Sequence, residues 1–362
     1  MRTNIYKNVM IFASVFCVAV SAAACGNSSS ESSSSAPAET EAAADTVPAE
    51  ETSADSQITY PVTIKAGYST GEDDPRGVVL KTFKETVEKE TGGDVLVEIH
   101  PSGELGSDAE LISGMVEGKV DMTVSSAGNY ATYAPKIGVS ALPFLFDNFE
   151  SAWAFIDSDT MQNINSELEP FNIHVLAYFD NGFRCVTTSE KVGAVKTVDD
   201  MKGLNIRTPE NQIVMETMSA LSANPKSYPF AELKAALADG TFDAQENPIP
   251  VIYNNNLFEV QKYLSITNHS YDAMPLTIRN DIWTELKPEY QEIISKAAKT
   301  AETEDRNLVK QQTEDFVGKL EEVGMEVNYP DLQPFKNATT GVMDFFADIY
   351  GQELIDQVKS MT

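Results

Sequence analysis

Six of the 26 basic residues in this 362-residue chain are arginines, and Arg207 among them stands where an anion could be held. A carboxylate presents two acceptor oxygens in one plane. A guanidinium offers a matching planar fork, which a lysine ammonium does not. Arg207 closes the run Leu204-Asn205-Ile206 and precedes Thr208-Pro209, so it falls at the end of a predicted strand. Ligands of open α/β sheets dock at such carboxyl ends. The alternative is an internal ion pair with one of the 55 acidic residues. Asn247, between Glu246 and Pro248, carries an amide that can donate to a carboxylate and accept from a hydroxyl; a turn-making role is its alternative. Further candidates come from the first third of the chain. Tyr68 ends the first predicted strand. Arg76 begins a helix after Asp73-Asp74-Pro75, where a surface role is the alternative. Tyr130 closes Gly128-Asn129-Tyr130, whose backbone donors could reach a ligand.

Catalytic chemistry is poorly provided for. Gly67-Tyr68-Ser69-Thr70-Gly71 fits the G-x-S-x-G nucleophile elbow, but Glu72-Asp73-Asp74-Pro75 intervenes where a helix should follow at once. The motif also lies on the first strand, with no upstream strand to supply an oxyanion loop. There is no H-E-x-x-H, no Walker A loop and no G-x-G-x-x-G. Three cysteines and three histidines leave no multi-thiolate zinc site and few ligands for other transition metals. No enzyme chemistry, metal or cofactor is therefore expected. The formal net charge of −29 repels phosphate backbones, which argues against nucleic acid as a partner.

The elements that must position these side chains alternate strand and helix. Residues 61–68 alternate as a strand. Residues 76–91 read as a helix with Val79, Phe83 and Val87 on one face, stopped by Gly92-Gly93. A second strand (94–100), a helix (107–117) with a Ser107/Glu110 capping box, and a third strand (120–124) follow. This β-α-β-α-β run implies an α/β fold with a mostly parallel sheet. Further strands are expected at 173–179, 204–207, 263–267 and 274–279, and helices at 210–221 and 230–238. From Pro288 to Val323 neither proline nor glycine interrupts a helical apolar pattern. At about 1.5 Å per residue that helix would exceed the width of a small domain, so it should cross two.

Residues 1–24 read as an export signal. Arg2 and Lys7 precede a 16-residue uncharged run, Val9 to Ala24, shorter than the roughly 20 residues a spanning helix needs. The run ends Ala22-Ala23-Ala24-Cys25-Gly26, similar to a bacterial lipobox, in which Cys25 would carry lipid; an ordinary cleaved signal is the alternative. Residues 25–57, rich in Ser, Ala, Glu and Pro, cannot bury enough apolar surface to order and are expected to be a tether. The folded body would then work at the outer face of the cytoplasmic membrane. Cys185 is expected to be a buried small residue.

Several segments, in order over nearly all of residues 60–300, resemble the solute-binding proteins of tripartite ATP-independent periplasmic (TRAP) transporters. They include Gly103-Glu104-Leu105-Gly106, Gly118-Lys119-Val120-Asp121-Met122, Asn181-Gly182-Phe183-Arg184, Lys202-Gly203-Leu204-Asn205-Ile206-Arg207 and Gln245-Glu246-Asn247-Pro248. The resemblance implies a two-lobed periplasmic-binding-protein-like clamp, with a mixed sheet in each lobe and the long helix spanning both. Residues 58–181 and 273–312 would form one lobe, 182–272 and 313–362 the other. It implies that Arg207 pairs bidentately with a substrate carboxylate, assisted by Asn247 and Arg184, with Phe230 covering the ligand. An internal ion pair is the alternative for Arg184, and plain core for Phe230. The implied partners are a small organic acid and the small and large membrane subunits of a TRAP permease; another importer class, such as an ABC system, is the alternative. C4-dicarboxylates, sugar acids, sialic-type, keto and aromatic acids all suit one fork. A second arginine tilts the choice slightly toward a diacid.

Overall fold

The computed structural model describes residues 58–361, so the export signal, Cys25 and the tether lie outside the described residues. The chain opens as read: β1 (Val62–Gly67), α1 (Pro75–Glu90), β2 (Val95–His100), α2 (Asp108–Val116) and β3 (Met122–Val124). Helix α1 starts where Asp74 caps it ahead of Pro75, and buries Val79, Leu80, Phe83 and Val87. The expected capping box closes on α2: Glu110 Oε2 accepts from Ser107 N at 2.8 Å, and Ser107 Oγ accepts from Glu110 N at 3.4 Å. Strand β1 pairs in parallel with both β2 and β3.

Helices α3 (Phe149–Ile156) and α4 (Asp159–Asn165) lead to β4 (Ile173–Thr188). Then come β5 (Asn205–Thr208), α5 (Gln212–Ala220), β6 (Asn224–Ser227), α6 (Phe230–Ala238), β7 (Ala244–Pro248) and α7 (Ile249–Asn254). The chain finishes with β8 (Tyr263–Arg279), α8 (Asn280–Glu285), α9 (Pro288–Glu322), β9 (Glu326–Asn328), α10 (Gln333–Tyr350) and α11 (Gln352–Ser360). Strand β5 is parallel to β6 and β7, whereas β4 runs antiparallel to β7 and β8. The hydrogen-bonded order is β2-β1-β3-β8-β4-β7-β5-β6, with β9 beside β8. Two parallel triplets are thus joined by one long antiparallel pair.

That pair is where the sequence reading falls short. The strand expected at 173–179 runs on to Thr188, and the strands expected at 263–267 and 274–279 are one. Beyond the expected strands, Asp180-Asn181 stays extended because other buried polar groups satisfy it, whereas exposed Asn268, with a φ of 41°, marks an irregularity within β8. Register shifts near Gly182, whose φ of 100° favours glycine, let β4 bend without ending.

Helix α9 spans 35 residues, about 52 Å. Its first half (Tyr290, Ile294, Ala297, Ala301) packs into the core beneath β1, β2 and α1, and its last turns (Phe316, Leu320) into the core around α6 and α7. Cys185 belongs to this second core, where burial pushes its thiol up to about 11. The middle of α9 crosses β4 with acids: Glu302 Oε2 accepts from Tyr178 N at 3.1 Å and Asp305 Oδ2 from Asp180 N at 2.5 Å. Asp180 itself accepts from Trp153 Nε1 at 2.6 Å.

Burial pushes the Asp180 carboxyl up to about 7 and that of Asp305 well above the usual range. Asp180 therefore stays protonated in the fold at pH values where the unfolded chain has released its proton. Between about pH 4 and pH 7 the folded state binds more protons, so raising the pH removes stability. Asp180→Asn should escape this penalty. The melting temperature of the variant minus that of wild type should become more positive from pH 5 to pH 8; a difference that does not change with pH would contradict the assignment.

Candidate functional site

The carboxyl end of β5 delivers Arg207 into a cleft between the two parallel triplets. Its residue exposure is 3%, its Nε donates to the Tyr228 carbonyl at 2.8 Å, and the Phe230 ring centre lies 5.7 Å from its Cζ. Among the described residues no carboxylate comes within ion-pairing distance of it. Burial pulls its pKa down to about 10; Glu246 opposes that fall, neighbouring Arg184 adds to it, and Asp108 opposes it.

Arg184 is in the opposite condition. Its Nε meets Glu246 Oε2 and its Nη1 meets Asp272 Oδ2, both at 2.5 Å. Its Nη2 donates to the Glu246 carbonyl at 2.8 Å, to Glu246 Oε1 at 2.9 Å and to Asn247 Oδ1 at 3.1 Å. The register explains this: Arg184 lies opposite Pro248 and Val186 opposite Glu246, so Glu246 is a same-face diagonal neighbour. Strand β8 supplies Asp272, which also accepts from Asn181 Nδ2 at 2.7 Å and Ser126 Oγ at 3.0 Å, and His269, whose Nε2 lies 3.3 Å from Glu246 Oε2. The internal ion pair given as the alternative for Arg184 is present, and the side chain lines the cleft as well. Burial lowers its basicity, but its carboxylate neighbours more than compensate and raise its pKa above the ordinary value.

Asn247 lies in β7, not in a turn. Its Nδ2 donates to Gln245 Oε1 at 2.5 Å. Arg76 is buried, with Nε on Asp74 Oδ1 at 2.8 Å and Nη2 on Asn181 Oδ1 at 3.1 Å. Arg76, Arg184, Arg207, Phe230 and Asn247 all line the cleft. Tyr68 and Tyr130 do not, which corrects their placement as candidates. Tyr68 is fully buried in the core beneath α1, its hydroxyl so close to Gly77 that a Cβ there would sit 2.5 Å away. Tyr130 is fully buried too, its hydroxyl 2.9 Å from Thr277 Oγ1.

Sequence reasoning missed the wall facing Arg207. Asp108, the first residue of α2, lines both hollows of the cleft, which hold about 300 and 410 Å³ of unfilled space with their open mouths included. Its Oδ2 accepts from Ser69 Oγ at 2.9 Å and its Oδ1 from Ser125 Oγ at 2.5 Å. An acid in the first turn of a helix reads in sequence as a partner of the helix dipole, which hid it. Ser69, the serine of the nucleophile-elbow pattern, spends its hydroxyl on Asp108, and α1 starts only at Pro75. A larger groove of about 880 Å³ lies along α9, but the cation lining it, Lys299, is paired with Asp157 and Glu302.

Residues 66–348 match the model of the bacterial extracellular solute-binding proteins, family 7. The chain is 34% identical over 264 residues to the 2,3-diketo-L-gulonate-binding periplasmic protein YiaO of Escherichia coli, covering 73% of this chain and 80% of the relative. It is 27% identical to the C4-dicarboxylate-binding protein DctB of Bacillus subtilis, over 83% and 86% of the two chains. Among solved structures, a TRAP periplasmic solute-binding protein from a Polaromonas species bound to D-erythronate superposes with a TM-score of 0.79 at 31% identity, covering 82% of this chain and 98% of that one. The sugar acid binding protein of Advenella mimigardefordensis in complex with galactonate does so with a TM-score of 0.80 at 29% identity, over 84% and 98%. The alternation of strands, the bridging pair and the matched span agree: this chain belongs to family 7 of the bacterial extracellular solute-binding proteins, the binding subunits of TRAP transporters.

Proposed function

We propose that this TRAP binding protein captures a hydroxylated monocarboxylic acid of the sugar-acid type, holding its carboxylate on Arg207. The observation that carries the reading is a buried guanidinium with no carboxylate of the described residues beside it. Keeping such a cation desolvated costs stability unless a ligand supplies the anion. Phe230 covers the ion pair and Asn247 adds a polar contact. Arg184 acts as the anchor that orients Asn247 rather than as a second fork, and Arg76 as a polar part of the facing wall.

Two features favour a hydroxy monoacid over the diacid toward which two arginines pointed. Arg184 is already neutralised by Glu246 and Asp272. The wall opposite Arg207 carries Asp108 among Ser69 and Ser125, a group that accepts from ligand hydroxyls and repels a second carboxylate. Relatives solved with D-erythronate and galactonate support the same class. The lobes bounded at 181/182, 272/273 and 312/313 would close on the acid, because only the closed form offers it Arg207 and Asp108 together. The protein binds without turnover; the family does not favour an ABC partner or a serine hydrolase. Export through residues 1–24, lipid on Cys25 and a tether to residue 57 would hold the body near the permease subunits that receive the acid.

Calorimetry with galactonate, gulonate, erythronate, succinate and malate tests the class. The sugar acids should bind at least ~10-fold more tightly than succinate, about 1.4 kcal/mol, and Asp108→Asn should narrow that gap. Tighter binding of succinate by wild type would contradict it. Arg207→Met should abolish binding yet leave the ligand-free melting temperature unchanged or higher. Arg184→Met should instead destabilise the fold by about 3–5 kcal/mol, since it strands two buried acids. A destabilised Arg207→Met with intact binding would reverse the assignment.

A further inference from the structure

The turn that follows β1 is only half explained by the binding reading. Ser69 within it holds Asp108, but Gly71 reaches the other way. The Gly71 N–H donates to Asn255 Oδ1 at 3.1 Å, joining residues 184 positions apart. Gly71 belongs to the side of the cleft built on β1, β2 and β3. Asn255 follows α7 directly after the strand that carries Asn247, on the side that carries Arg207. Both partners are half-buried, so water can reach them once the sides part.

Each partner is fixed on its own side. Asn255 Nδ2 donates to the Val251 carbonyl one helical turn back at 3.0 Å, which leaves Oδ1 aimed across the cleft. The turn is tied to the loop after β2: Gly103 N donates to the Tyr68 carbonyl at 3.0 Å and Ser102 N to the Thr70 carbonyl at 2.8 Å. That loop also meets the opposite side, for a Cβ at Gly103 (φ 73°) would lie 3.4 Å from Ala231 Cβ in α6. A bulkier residue at position 103 would hold the rims apart.

We infer that Asn255 is a positioning residue for ligand retention, a latch whose hydrogen bond to the Gly71 amide forms when the cleft shuts. It does not touch the acid, since it is absent from the cleft lining. The inference rests on the reading that the cleft opens and closes around a ligand. A neutral hydrogen bond present only in the closed form slows release by about three- to tenfold. The association rate, set by the open form, is untouched.

Stopped-flow measurement of galactonate binding and release tests this. Asn255→Leu, which keeps the shape but removes the acceptor, should release galactonate about three- to tenfold faster with an unchanged association rate. Asn255→Asp retains an acceptor for the Gly71 amide and should restore slow release. The ligand-free melting temperature of both variants should match wild type. Equal release rates for wild type and Asn255→Leu, or an Asp variant that releases as fast as the Leu variant, would overturn the latch. Failure of wild type to bind galactonate would instead count against the sugar-acid reading. The latch is then decided with whichever acid of the calorimetry panel the protein does bind. Faster release of that acid from Asn255→Leu supports the latch, and release equal to wild type overturns it.

Discussion

A desolvated cation with no counter-ion among the described residues organises the cleft. Arg207 has lost water, holds one backbone carbonyl and an aromatic face, and has its basicity lowered as a result. Such a group is a liability in a structure that has only itself to consider. It makes sense in a receptor, where the missing charge arrives from outside and binding energy is drawn from relieving the deficit. Arg184 shows the contrast within the same cleft. With Glu246, Asp272 and Asn247 around it, it is neutralised within the protein, and on the proposed reading its neighbour is the fork left to a ligand.

The architecture follows from the need to suspend that fork over a cleft. Parallel triplets end their strands at the same edge, so β5 and the turn after β1 both deliver side chains to it. The antiparallel pair β4/β8 joins the triplets and carries buried polar residues because Arg184 bonds both Asp272 and Glu246, and Glu246 in turn meets His269. Helix α9 braces the pair from behind, anchored in a separate core at each end. Its central acids hold the β4 backbone beside the register shift at Gly182, which places a buried, proton-binding pair in the strand that joins the two triplets.

Much of this was written in local patterns. Apolar periodicity and caps located α1, α2, α6 and α9, and a strand end followed by Thr208-Pro209 located Arg207. What was not legible depended on partners far along the chain. The strand from Ile173 runs past its expected end to Thr188 because its polar residues find partners on distant elements, among them Arg76, Trp153, α9, β7 and β8. Tyr68 and Tyr130 sit next to cleft residues in sequence, yet their side chains turn into the core. Asp108 was masked by its ordinary place at a helix start, and Asn255 by a run of asparagines without any pattern that points to a partner. A guanidinium in sequence does not announce whether a partner waits for it; the register of β4 against β7 decides that for Arg184, and the lack of an acid within reach among the described residues decides it for Arg207.

The most direct test is a crystal structure of the protein grown with galactonate. The account predicts the ligand carboxylate bidentate on the Nη atoms of Arg207, ligand hydroxyls on Asp108, and Arg184 still bound to Glu246 and Asp272. A carboxylate seated on Arg184 with its acids displaced, or Arg207 turned to a protein acid while the ligand binds elsewhere, would contradict it.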